Sequence, residues 1–194
     1  FDYFTLKKAD WGISNVKVQG QKIFNICENG SDISLDCFYS EPAAEAKKLT
    51  CDITDYFGEK FYNTVFKVEQ GETSTHINLP KMDINHYTVN IYDGEKSLYE
   101  LYISVVKPLS ERNVIQDSPF GCDAILSILG MYDYADDNLD ALKLAGVSWL
   151  RDRFILNTFN SADGVYNYEK WDSYSMQMMD KAKQHGFKVL NMLT

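Results

Sequence analysis

The interval at which apolar residues recur changes once along this chain, between Val106 and Pro119, and that change limits the folds open to it. Before it, Ile33, Leu35, Cys37 and Tyr39 alternate with Ser34, Asp36 and Phe38, and Thr75, Ile77 and Leu79 with His76 and Asn78. Tyr87, Val89 and Ile91 alternate with Thr88 and Asn90, and Tyr99, Leu101, Ile103 and Val105 with Glu100, Tyr102 and Ser104. A period of two marks strands with one buried and one wetter face. Asp93-Gly94 supplies a hairpin turn, and Gln70-Gly71-Glu72 a second. Short strands with turns at near-regular spacing predict an antiparallel, immunoglobulin-like β-sandwich over residues 1–107. Val106-Lys107-Pro108 closes the last strand, and the polar, unpatterned stretch 108–118 reads as a linker.

From Pro119 onward, strand and helix patterns alternate. Phe120-Gly121-Cys122-Asp123-Ala124 predicts a short strand. Asp136 or Asp137 can cap a helix carrying Leu139, Leu142 and Ala145, with Gly146 as its stop. Val147 to Arg151 reads as a second strand. A second helix, from about Lys170 to His185, aligns Trp171, Tyr174, Met178 and Ala182 on one stripe and ends at Gly186. Phe187 to Leu193 is the third strand. The two helix-to-strand junctions echo one another, with glycines 40 residues apart. A β-α-β-α-β order implies a parallel sheet. An α/β barrel and a doubly wound sheet both fit, but no glycine-rich loop follows the first strand, which disfavours a nucleotide-binding sheet.

The formal net charge of -9, without a Lys/Arg cluster, argues against nucleic acid and anionic membrane and suits a neutral polymer better. No apolar run approaches the roughly 18 residues of a membrane span. The chain opens at Phe1 without a Met, which reads as a processed or trimmed start and leaves a signal peptide undecided. Cys27, Cys37, Cys51 and Cys122 form no C-x-x-C pair, so no zinc or iron–sulfur site is expected. They read as buried free thiols, with one disulfide inside the first domain as the alternative. Asn29-Gly30-Ser31 has the pattern of a glycosylation sequon.

Within residues 119–194, Ser118-Pro119-Phe120-Gly121, then Leu144-Ala145-Gly146-Val147-Ser148-Trp149-Leu150-Arg151-Asp152, resemble the opening of a known barrel family. Gly164-Val165-Tyr166, Trp171-Asp172 and Ala182-Lys183-Gln184-His185-Gly186-Phe187-Lys188-Val189-Leu190 continue the likeness. The family is the clan A retaining glycoside hydrolases, with its β-xylosidase-like and cellulase-like members nearest. The resemblance implies a multidomain chain: a β-sandwich, then strands one to three of a (β/α)8 TIM barrel. Asp123 stands where the family often has Asn or His, and Phe154 to Phe159 lacks its Trp-acidic-Pro sequence.

The resemblance further implies a secreted, periplasmic or cell-surface enzyme acting on a poly- or oligosaccharide without a cofactor. Retaining hydrolysis needs two carboxyl groups about 5 to 5.5 Å apart. In the resembling enzymes these are glutamates on strands four and seven, both downstream of this chain, so no carboxylate here is assigned as catalytic. Arg151 matches the arginine that hydrogen-bonds the nucleophilic carboxylate, holding it ionised and oriented. Otherwise it is a rim arginine paired with Asp152. Arg153, of the same parity, is the second candidate, and Asp123 a candidate for a sugar hydroxyl. Trp149 is assigned to core packing, and Tyr132 and Tyr134 to a loop after strand one. His185 suits the negative end of its helix. The alternative reading is a non-catalytic carbohydrate-binding or adhesion protein with a degenerate barrel. In either case the barrel segment needs the rest of the protein, or another chain, to cover it.

Overall fold

Alternation along the strands of the first unit carries their apolar side chains into one core. A computed structural model describes residues 11–111, 118–124, 134–154 and 174–193. The chain divides into two units, Phe1–Pro108 and Leu109–Thr194. In the first, β1 (Ile13–Gln19), β4 (Ser34–Tyr39) and β7 (Ser74–Asn78) form a three-stranded sheet in the order β1-β4-β7. The other sheet runs β2-β3-β9-β8-β5-β6. It is built from β2 (Gln21–Ile23), β3 (Ile26–Glu28), β5 (Lys47–Thr54), β6 (Lys60–Val68), β8 (Asn85–Asp93) and β9 (Lys96–Val106).

Val18, Leu35, Cys37 and Ile77 from the first sheet meet Leu49, Ile53, Val89, Ile91 and Ile103 from the second in a single buried cluster. This is a β-sandwich. At the start of β8 the Tyr87 hydroxyl donates to the Asp83 carbonyl at 3.0 Å, so a fully buried ring keeps its polar end satisfied.

For the sandwich, two expectations need correction. The sandwich is not wholly antiparallel, because β3 pairs with β9 in parallel. Gln70-Gly71-Glu72 is not a hairpin turn: Gly71 has φ 86°, but the strands on either side belong to different sheets. The turn crosses the sandwich. Asp93-Gly94 does join a hairpin, with Asp93 opposite Lys96. All four cysteines are free thiols. Burial pushes the thiol of Cys27 up to about 11 and those of Cys37 and Cys51 up to about 12, so all three stay protonated.

In the second unit β10 (Gly121–Asp123), β11 (Trp149–Phe154) and β12 (Lys188–Leu193) are parallel and lie in chain order. Between them in sequence are α1 (Ala135–Leu144) and α2 (Tyr174–Gln184). The expected second helix is thus found from Tyr174, and Trp171 lies outside the described residues. No helix among the described residues is long and apolar enough to cross a membrane.

Both helices end alike. Gly146 (φ 83°) donates to the Lys143 carbonyl at 2.9 Å and Val147 to that of Leu142 at 3.1 Å. Gly186 (φ 77°) donates to Lys183 at 2.8 Å and Phe187 to Ala182 at 2.9 Å. That paired closure needs a residue at ease with positive φ, followed by an apolar one that turns back onto the helix. The echo between the two junctions is this motif used twice. At the other end of α1 the expectation of an aspartate cap is wrong. Tyr134 occupies the cap position without a side-chain cap, and Asp136 and Asp137 lie in the first turn.

The outer face of the three-stranded sheet carries one linked polar row. The Gln19 amide donates to Asp36 Oδ2 at 2.7 Å, His76 Nδ1 lies 2.6 Å from Asp36 Oδ1, and His76 Nε2 lies 3.1 Å from Asn78 Oδ1. The bond to Asp36 raises the His76 pKa, and the bond to His76 lowers that of Asp36. A raised His pKa stabilises the fold below the ordinary histidine value, and that contribution is lost as pH rises through the folded-state value. A lowered Asp pKa stabilises above the ordinary aspartate value and is lost as pH falls through its own. Replacing His76 with Gln should therefore flatten the fall in sandwich stability between about pH 5 and about pH 8 in low salt. Urea unfolding across that window checks this, and an unchanged slope would contradict it.

Candidate functional site

Register decides which side chains share a face of the parallel sheet. Gly121 lies opposite Trp149, which lies opposite Lys188, and Asp123 opposite Arg151, which lies opposite Leu190. Cys122, Leu150 and Val189 form the row between, on the other face. Leu150 is buried with Ala135 and Leu139 of α1 and Met178 and Ala182 of α2, and Cys122 and Val189 pack against that cluster. Both helices therefore cover the face of Leu150. The opposite face is open: Trp149 is 37% exposed and Leu190 55%.

On the open face a depression of about 570 Å3 is lined by Gly121, Asp123, Trp149, Arg151 and Leu190, among others. Arg151 Nη2 donates to Asp123 Oδ2 across the β10–β11 pair. That bond raises the arginine pKa further, so the guanidinium is a fixed cation. The expected partner, Asp152, has the opposite parity and is buried, so the rim pairing with Asp152 is corrected to a cross-strand pairing with Asp123. Arg151 is the third of the six residues of β11, and Arg153 is nearer the strand's C-terminal end. The Arg153 backbone pairs with Met192, while its side chain lies outside the described residues. Among the described residues of this face, Asp123 is the one carboxylate. It is exposed and held by a cation, and so is suited to accepting hydrogen bonds from hydroxyls.

Trp149 is not in the helix-side core, contrary to its assignment to core packing. It lies on the open face beside Gly121, with Lys188 Nζ 5.1 Å from its ring centre. The sequence signal was available: strand one offers a glycine where the neighbouring strand has its largest residue. A Cβ at Gly121 would stand 3.1 Å from Trp149 Cβ and 3.2 Å from its carbonyl oxygen. Tyr134 is exposed at the start of α1, and Tyr132 lies outside the described residues.

His185 lies just past the end of α2 and bridges the helices. Its Nε2 is 3.1 Å from Asp136 Oδ1 and its Nδ1 3.0 Å from Asp140 Oδ1. Lys181 also bonds Asp136, whose pKa the lysine and then the histidine lower. The residues expected to serve a helix cap and a helix dipole instead join one helix to the other. No group of three or more His, Cys, Asp or Glu among the described residues is arranged to hold a metal.

No family model and no curated protein matches the chain. Solved structures do resemble it. One is a family 39 glycoside hydrolase from the gut symbiont Bacteroides cellulosilyticus WH2, with TM-score 0.53 and 16% identity over 92% of this chain and 34% of that one. A Parabacteroides merdae β-glucuronidase matches with TM-score 0.42 and 9% identity over 92% and 23%. A Ruminococcus gnavus β-glucuronidase matches with TM-score 0.35 and 14% identity over 95% and 30%. The latter two likenesses are too loose to argue from. At such identity the first is a likeness of fold, and this chain spans about a third of that hydrolase's length.

The close approach at Gly121 yields a test. Gly121→Val should force Trp149 away from β10 and destabilise the second unit by about 1–3 kcal/mol. Both α-helices of the described residues lie in that unit, so the helical circular dichroism signal should be lost at lower urea while the sandwich transition stays. An unmoved helical transition would show that Trp149 does not depend on the glycine.

Proposed function

We propose that the chain is the N-terminal part of a glycoside hydrolase, with an immunoglobulin-like sandwich followed by the first three strands of a (β/α)8 barrel. The observation that carries the reading is the placement of both helices on one face of a parallel sheet laid out in chain order. A doubly wound sheet places helices on both faces, whereas a barrel places every helix outside and turns the other face inward. The open face of Trp149, Arg151 and Leu190 is then barrel interior. The fold likeness to the family 39 hydrolase supports the same reading, and its own length leaves room for the rest of a barrel. The parallel pair of β3 and β9 and the Tyr87–Asp83 bond near the start of β8 support the immunoglobulin-like reading of the sandwich.

In a retaining mechanism one carboxylate attacks the anomeric carbon and a second carboxyl group protonates the departing oxygen. Both would come from later strands. Arg151 contributes a fixed cation with five donors, and Asp123 engages only part of them. The remaining donors can hold the nucleophilic carboxylate ionised and in one rotamer. Asp123 keeps the guanidinium in place and accepts from a sugar hydroxyl. Arg153, two residues on and of the same parity, is the second substrate-side cation.

Reading the gene past Thr194 is the cheapest test. It should reveal an Asn-Glu pair closing a fourth strand and a further Glu closing a seventh, and their absence would overturn the proposal. The 194-residue chain should not hydrolyse an aryl glycoside, whereas the longer protein should. Turnover by the short chain would show that the catalytic groups have been misplaced. In the longer protein, Arg151→Ala should lower kcat by about 10²-fold or more while KM moves little. A change confined to KM would make Arg151 a binding residue only.

A further inference from the structure

Asn29-Gly30 is the one Asn-Gly pair in the sequence. It lies at the turn where the chain leaves β3 of the six-stranded sheet for β4 of the three-stranded one. The frame of that turn is fastened. Asn29 N–H donates to the Val106 carbonyl at 2.8 Å and Ser31 N–H to that of Glu28 at 3.0 Å. Lys81 Nζ donates to the Gly30 carbonyl at 3.0 Å and to Asp32 Oδ1 at 2.7 Å.

The peptide at the centre of the turn is held by nothing. Asn29 and Gly30 are both exposed, and among the described residues neither the Asn29 side chain nor the Gly30 N–H has a hydrogen-bond partner. Gly30 stands at φ 88°, and a Cβ built there would meet nothing within 4 Å. The Gly30 nitrogen is therefore open and unhindered, next to a carboxamide that can rotate onto it. Asp93-Gly94, at the β8–β9 hairpin, is the nearest chemical comparison and differs in kind. Its carboxylate lies 3.3 Å from Lys47 Nζ, and an ionised carboxylate is a poor electrophile.

We propose that Asn29 is a site of spontaneous covalent self-modification. The Gly30 backbone nitrogen gives up its proton and attacks Asn29 Cγ. A nitrogen–carbon bond forms, and the side-chain nitrogen leaves as ammonia, carrying that proton. Water then adds to the cyclic imide and reopens it at either carbonyl, to aspartate or to isoaspartate, whose main chain runs through the former side chain. No electrons are exchanged, and water is the one co-reactant. Either product adds a negative charge between Glu28 and Asp32. Isoaspartate also lengthens the backbone by one carbon between the Asn29 N–H held by Val106 and the Ser31 N–H held by Glu28, so the turn cannot keep both bonds. Asparagine is a thermolabile residue, and this one sits as a clock at the junction of two sheets.

Incubating the folded 194-residue chain in mildly alkaline buffer, then mapping its peptides by mass spectrometry and enzymatic isoaspartate methylation, tests this. Conversion should concentrate at Asn29. It should run at least about tenfold faster there than at Asn63 or Asn78, whose side chains are bonded to Asp52 and His76. The folded rate at Asn29 should also lie within about tenfold of the rate in the urea-unfolded chain. Gly30→Ala should slow the reaction about tenfold or more, because a methyl group then shields the nitrogen. That variant also strains a positive φ, so Asn29→Gln, which leaves Gly30 in place, should abolish conversion in a turn that keeps its shape. The aged chain should unfold at lower urea than the fresh one, whereas Asn29→Asp, with the charge but not the longer backbone, should not. An unmodified Asn29, a folded rate about 10²-fold or more below the unfolded one, or isoaspartate at Asp93 instead would overturn the proposal. So would a glycan on Asn29 in protein from its own source, since it blocks the carboxamide. An aged chain as stable as the fresh one would overturn the loosening of the turn.

Discussion

A parallel sheet must be covered on both faces, and in the second unit the helices cover only one. The two unlike faces of that unit follow from this asymmetry. The helix side is a finished core, with Leu150, Met178 and Leu139 fully buried. The other side shows Trp149 and Leu190 to solvent next to a fixed arginine–aspartate pair. Apolar surface yields about 25 cal/mol per Å2 when removed from water, so leaving large side chains out forfeits several kcal/mol, comparable with a domain's whole stability. A face that carries both that deficit and a fixed cation is the one proposed as a barrel lining.

Much of the architecture was legible in the sequence because its signals are local. Alternation in Leu35–Tyr39 and Tyr87–Ile91 follows from the pleat alone, and the glycines at 146 and 186 sit where a helix must reverse at positive φ. The crossing of the sandwich at Gly71 was not legible, because a turn's residues state its curvature and not which sheet receives the next strand. The parallel pairing of β3 with β9 depends on a contact between segments nearly eighty residues apart, which no local pattern encodes.

The site was legible in its residues but not in its pairings. Parity places Asp123 and Arg151 on one face, yet adjacency in sequence suggested Asp152 as the arginine's partner. Side chains of successive strand residues point to opposite faces, so the neighbouring aspartate goes to the helix side and the neighbouring strand's aspartate takes the cation. The same step from sequence neighbour to spatial neighbour explains His185: a dipole argument saw one helix end, while the fold brings Asp136 and Asp140 of the other helix against it.

The central claim is that the open face of β10–β12 is the inside of a barrel. It is tested most directly by solving the structure of the longest polypeptide its gene encodes and asking which elements cover Trp149, Arg151 and Leu190. The account predicts further parallel strands beyond β10 and β12, closing the sheet into a ring with Arg151 beside a glutamate inside it. A helix packed across Trp149 and Leu190 would make the sheet doubly wound and contradict the account.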